Sequence, residues 1–409
     1  MFEQGFPEYF STRYKEKKIT LSDVQNTLNP QAQIIQYITT NEHLFIYSIT
    51  ADDIRFLKLD NKKEIDTQLA RFLNMVNNPT SDVETVRKIG QDLFDQLLKP
   101  IGPMKENLSI ITDDQLSRLP FETLSMKDAP NQDRYLLEAY RIQYLNAASD
   151  LSEMSITKPM SKIDLLAMAT TYSAGVETPI ADTMRAGLGP LKFTVEEAKN
   201  LSETFGGTAL LNEKATEANF RKYAKEKGIL HIASHGVVDN SQPLFSRLIL
   251  EKDPEDSVHD GNLFIHELYN MSLNAQMAVL SACNTARGQL ASGEGILNIG
   301  RGFFYAGVPA VVMSHWQVDD LSTSILMKYF YENLAEGLEK SKALREAKLR
   351  FIAEASPNKK HPFYWGAFIS MGNDSPIVRK GPNSMVIIIG LTLVLSVILL
   401  LRRRATTTT

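Results

Sequence analysis

Cysteine is almost absent from this sequence: one residue, Cys283, stands in 409. A single thiol excludes an intramolecular disulfide, so the fold must be held by packing, and the redox compartment stays open. Positive charge is not in excess. Lys and Arg number 44 against 48 Asp and Glu, a net charge of -4, and no basic face interleaved with aromatics appears, which argues against broad nucleic-acid binding. No apolar h-region marks the N-terminus MFEQGFPEYFSTRYKEKK, so no signal peptide is read there. No internal repeat recurs. Long apolar runs are missing apart from Met385 to Leu401, 17 residues without a charge. As a helix that run spans about 26 Å, enough for a bilayer core, and Arg402-Arg403-Arg404 stop it. A single-pass membrane anchor is therefore expected at 385–401, with 402–409 as a basic, threonine-rich tail. Its orientation stays open: the arginines favour a cytoplasmic C-terminus, while the missing signal peptide keeps the large domain cytoplasmic.

What is present is an ordinary globular composition, 43% hydrophobic and 22% charged, long enough for two modest domains or one large one. Residues 1–30 are polar and read as an N-terminal linker or helix. Three short strands are predicted over 32–38, 43–49 and 54–59, separated by Thr39-Thr40-Asn41 and Ala51-Asp52-Asp53, as an antiparallel meander. Helices follow over 62–77 and 82–98, the second opened by a capping box in which Ser81 caps and Glu84 reciprocates. Strands at 108–111 and 139–144 complete this part, and the polar stretch 152–161 reads as a linker. Beyond it come a strand at 163–169, a helix at 195–205, a strand at 208–211, a helix at 216–226 and a strand at 229–233. Such alternation predicts an α/β fold, a parallel sheet with helices on both faces. Helices over 295–305, 322–334 and 340–354, and a buried strand at 310–313, follow.

The chemistry collects on two strand ends. Ala278-Val279-Leu280 is a short buried run, and Cys283 stands just past it, before the polar turn Asn284 to Gly288. In open α/β sheets ligands bind at that edge. A lone cysteine is more often an inert small hydrophobe. The strand 229–233, however, delivers His235-Gly236, roughly 48 residues upstream, which is the order and rough spacing of the caspase pair. His231 lies four residues before His235; on a strand, and without an HExxH glutamate, it reads as a hydrogen-bonded core histidine rather than a metal ligand. Ser292-Gly293-Glu294-Gly295 fits no phosphate loop, because Asn298 stands where the third glycine would be. It is taken as a tight turn into the next helix.

HIASHG, LSACNT, SGEG and AGVPAVVMSHWQVDD occur in that order, and with them the sequence resembles the CHAT domains, caspase-like cysteine peptidases usually found behind tetratricopeptide repeats. The resemblance covers about residues 15 to 375. It implies a caspase-like parallel-sheet sandwich, with a non-catalytic subdomain at 31–155 and a catalytic one at 156–378. It also implies that Cys283 is the nucleophile, His235 the general base, and the amides of Gly236 and Cys283 the oxyanion hole. In the related separases a similar Trp and following Asp help form a pocket for a basic P1 side chain. Carried to Trp316, Asp319 and Asp320, this implies selection of Arg or Lys, although capping of the helix from Ser322 explains the carboxylates equally well.

The expected function is thus a membrane-anchored, caspase-like cysteine endopeptidase that cleaves protein substrates through a Cys-His dyad, without metal or cofactor. A partner or a tetratricopeptide repeat region is expected to regulate it. The alternative is a catalytically silent scaffold that binds partners at the membrane.

Overall fold

The structure is a computed structural model that describes residues 19–129, 132–153, 158–170, 193–239, 241–281, 288–291, 295–316 and 319–379. After helix α1 (Leu21–Thr27), strands β1 (Ala32–Thr39), β2 (Leu44–Ile49) and β3 (Ile54–Leu59) form the expected antiparallel meander. Helix α2 (Lys62–Val76) turns Ile65, Leu69, Phe72 and Val76 onto one buried stripe, the spacing of a helix face packed on a core. Helix α3 (Val83–Leu97) does the same with Val86, Ile89, Leu93 and Leu97. Its cap is Asp82, whose side chain accepts from Thr85 N. The expected Ser81 cap is one residue early: the helix begins at Val83, and the Ser81 N–H that Glu84 would have satisfied is given to Asn78 O in the preceding turn. Strand β4 (Asn107–Ile111), the hairpin β5 (Ser125–Ala129) and β6 (Gln132–Tyr135), and β7 (Arg141–Tyr144) complete this half.

The second half alternates as the pattern predicts. It runs β8 (Leu165–Ala169), α4 (Thr194–Phe205), β9 (Gly207–Leu211), α5 (Glu217–Tyr223) and β10 (Ile229–Ala233), then a small antiparallel sheet of β11 (His235–Val237), β12 (Arg247–Ile249) and β13 (Asn262–Phe264). Strand β14 (Met277–Leu280), the hairpin β15 (Gly288–Ala291) and β16 (Gly295–Asn298), helix α6 (Ile299–Tyr305) and β17 (Ala310–Ser314) lead to helices α7 (Asp320–Ala335) and α8 (Lys340–Glu354) and to β18 (Phe368–Gly372). Helix α6 starts four residues later than expected, since Gly295–Asn298 pairs with β15. The boundary carries a marker, Asn298, the last residue of β16 and the one before Ile299, a residue type that favours helix starts.

Eleven strands make one sheet in the order β3-β2-β1-β4-β7-β18-β17-β14-β10-β8-β9. Strands β8, β10, β14 and β17 are buried along their whole length, as parallel strands covered on both faces must be. The two halves run in opposite senses. Strands β17 and β18 pair antiparallel, while β18, β7, β4 and β1 run parallel to one another. One hydrophobic core runs through both halves, from Ile35 and Phe72 to Val312 and Trp365.

The expected single-pass anchor requires correction. No helix among the described residues is long and apolar enough to cross a membrane, and the longest, α7, has 16 residues and carries Asp320, Lys328 and Glu332. The segment 385–401 on which the expectation rested lies outside the described residues.

Candidate active site

Strand β10 is apolar except for His231, and its five residues are all buried. It pairs in parallel with β14, with Ile232 beside Leu280; β14 in turn pairs with β17, with Leu280 beside Met313. Three adjacent strands therefore end at one edge of the sheet. After Ala233 the chain bends at Ser234, and His235 begins β11, where it pairs with Ile249 while Gly236 pairs with Leu248. His235 is 4% exposed, so its imidazole sits in the rim rather than on the surface. The chain leaves β14 at Leu280, beside the strand that leads to His235. Cys283, three residues on, lies outside the described residues, as do Ser292, Gly293 and Glu294.

The rim continues past β17. Trp316 is buried and donates from Nε1 to Phe363 O at 3.0 Å. Asp319 caps α7: its Oδ2 accepts from Ser322 N at 3.0 Å and Ser322 Oγ at 2.7 Å. The same oxygen receives Lys359 Nζ at 2.8 Å. Burial alone would raise the Asp319 carboxyl, but the hydrogen bonds from Lys359 and Ser322 outweigh it and hold the group below the usual carboxylate range. Asp320 is the first residue of α7, half-buried. The geometry thus shows the capping role for Asp319, and adds a cation that the sequence did not reveal. Lys359 belongs to the loop between α8 and β18, forty residues from Asp319 in the chain, and only the fold brings them together.

His231 is a core histidine. It is fully buried, with Nε2 at 2.8 Å from Glu197 Oε1 on α4 and Nδ1 at 3.2 Å from Tyr331 OH on α7. Burial, helped by the Glu197 carboxylate, drives the Tyr331 phenol well above its ordinary pKa. No group of three or more His, Cys, Asp and Glu side chains able to hold a metal occurs among the described residues.

Two curated relatives align with this chain. Tetratricopeptide repeat protein 28 of Mus musculus is 24% identical over 343 residues, covering 72% of the chain. Its Homo sapiens counterpart is 22% identical over 337 residues, again covering 72%. The chain spans 13% of the length of each of these relatives. Among solved structures, the Saccharomyces cerevisiae separase-securin complex matches with a TM-score of 0.54 at 10% identity, covering 85% of this chain and 30% of that one. That likeness concerns the fold: a mixed α/β architecture with a large sheet similar to that of separase. The CHAT domain family model matches residues 87–373, more than half of the sequence, and the chain belongs to that family.

Proposed function

We propose that this CHAT domain is a cysteine endopeptidase in which Cys283 is the nucleophile and His235 the general base. The observation that carries the reading is the parallel register of β10 and β14, in which Ile232 lies beside Leu280 and the two strands lead out of the sheet side by side toward these residues. A thiol with an ordinary pKa near 8.5 needs such a neighbour to react at neutral pH. In the acylation step the Cys283 sulfur attacks the scissile carbonyl carbon while His235 takes the thiol proton. The tetrahedral intermediate then collapses with loss of the amine, which receives that proton from His235. Water, deprotonated by His235, hydrolyses the thioester and restores the thiol. The amides of Gly236 and Cys283 are the proposed donors to the oxyanion. Gly236 has no Cβ to keep a substrate carbonyl away from its backbone. Trp316, Asp319 and Asp320 are proposed to line the P1 subsite. The substrate is a protein, and the tetratricopeptide repeats named in both relatives support regulation by a repeat-containing partner or region.

Proteome-wide mapping of cleavage sites with the wild-type chain, Cys283→Ala and His235→Ala tests the reading. Cuts present in the wild type and absent from both variants are expected. Identical maps for all three, with repeat-region partners added, would favour the catalytically silent scaffold instead.

A further inference from the structure

The carboxylate at the rim already holds a cation. Lys359 Nζ lies 2.8 Å from Asp319 Oδ2 and 3.5 Å from Ser322 Oγ, and 4.2 Å from the centroid of the Tyr364 ring. A carboxylate, a hydroxyl and an aromatic face around one ammonium group make a cation cradle. It is open to solvent, since the Asp319 and Lys359 side chains are 36% and 33% exposed. The loop that brings Lys359 here has anchors of its own. Trp316 Nε1 donates to Phe363 O, Trp365 Nε1 to Lys360 O, and Phe363 N to His361 Nδ1. Removing the ammonium therefore leaves the loop seated.

We propose that Lys359 is a specificity-determining residue: it fills the cradle of Asp319, Ser322 and Tyr364 in cis, and an arginine or lysine side chain of a substrate binds there only by displacing it. The effect on cleavage rests on the peptidase reading; the effect on binding does not. Because the internal cation is tethered beside its site, it competes at a high effective concentration. The wild-type rim then discriminates only weakly between basic and neutral side chains. A guanidinium, planar and less strongly hydrated than an ammonium, is the better competitor.

The experiment has two arms, and thermal unfolding checks that each variant is folded. In the first, agmatine binding is measured by calorimetry or NMR on Cys283→Ala protein, alone and with Lys359→Met, Lys359→Gln or Lys359→Met/Asp319→Asn. Removing the lysine should tighten agmatine binding about tenfold, the worth of an exposed ion pair and a cation–π contact together, and Asp319→Asn should abolish the gain. Equal affinity with and without Lys359, or a gain that survives Asp319→Asn, overturns the proposal. In the second arm, the ratio of kcat/KM for peptides with Arg and with Leu at P1 should rise about tenfold in catalytically intact Lys359→Met. If no variant cleaves any peptide but agmatine binding tightens as expected, the cradle stands and the peptidase reading fails. If cleavage occurs with an unchanged Arg/Leu ratio and unchanged agmatine binding, the cradle alone fails.

Discussion

Lys340 shows how far a single residue can depart from its expected setting. It is the first residue of α8, where a lysine would normally reach solvent, yet it has no exposed surface. Its Nζ donates to Ser375 O at 2.5 Å. Burial lowers its pKa from 10.5 to about 8, with Asp374 opposing the shift. Below pH 8 both folded and unfolded chains hold the proton, and the cost of burying the charge is fully present. Between about 8 and 10.5 the unfolded chain keeps a proton that the folded chain has lost, so stability rises with pH, at up to about 1.4 kcal/mol per unit. Above that window the contribution is flat. Urea unfolding of wild type and Lys340→Met from pH 7 upward should show the wild type gaining on the variant through this window; parallel curves would mean that the burial carries no linkage. Nothing in the sequence around Lys340 signalled this, because the chain that covers it, Asp374 and Ser375, returns only after β18. His231 was legible as a core histidine from its apolar strand, but its partners Glu197 and Tyr331 come from two helices that only the fold brings together. The same holds for Lys359 at Asp319.

Among the elements, α8 carries a buried polar link between the halves of the molecule. Lys348 Nζ lies 3.3 Å from Glu122 Oε1, and the other carboxylate oxygen accepts from Tyr144 OH at 2.6 Å. Tyr144 OH in turn accepts from Phe121 N, so helix, turn and β7 share one buried network. Burial pulls the Lys348 pKa down, and Glu122 works against it. Lys348→Met should cost about 3–5 kcal/mol, since it strands a buried carboxylate. Adding Glu122→Gln should return most of that loss, and chemical denaturation of the two single variants and the double variant measures the coupling. Additive losses would show that the pair is not coupled. Strands and helices of this kind were legible wherever burial imposes a period, as in the stripe Ile65, Leu69, Phe72 and Val76. Short stretches that suit either period were not: Gly295–Asn298 fits the start of a helical pattern but is strand, and the helix begins only after Asn298.

For the whole molecule, the decisive strand is one that periodicity did not pick out. Phe368–Gly372 is five residues with Ser370 in the middle of apolar neighbours, too short for a period to distinguish it from loop. It nevertheless lies between β7 and β17 and joins the two half-sheets. Gly372 ends it at φ 94°, and a Cβ there would come within 2.4 Å of Pro309 O. Gly372→Val should therefore destabilise the protein by about 2–4 kcal/mol. Hydrogen exchange should report lost protection in β4 and β7 as well as in β14 and β17. Loss confined to the neighbourhood of residue 372 would mean that the halves stand independently.

The position of β18 also sets an order of events at the ribosome. It is central in the sheet but the last of the described strands to be synthesised, so β7 and β17 emerge first, each with a row of unpaired amides and carbonyls. Until residues 368–372 leave the exit tunnel, the nascent chain holds two open edges that invite pairing with other chains. Closing them requires partners far apart in sequence, which is slow. For β17 the vulnerable interval is the time taken to translate α7 and α8, whereas β7 waits through the whole of the second half from β8 onward; helices that form quickly on their own keep the intervening chain occupied until the joining strand arrives.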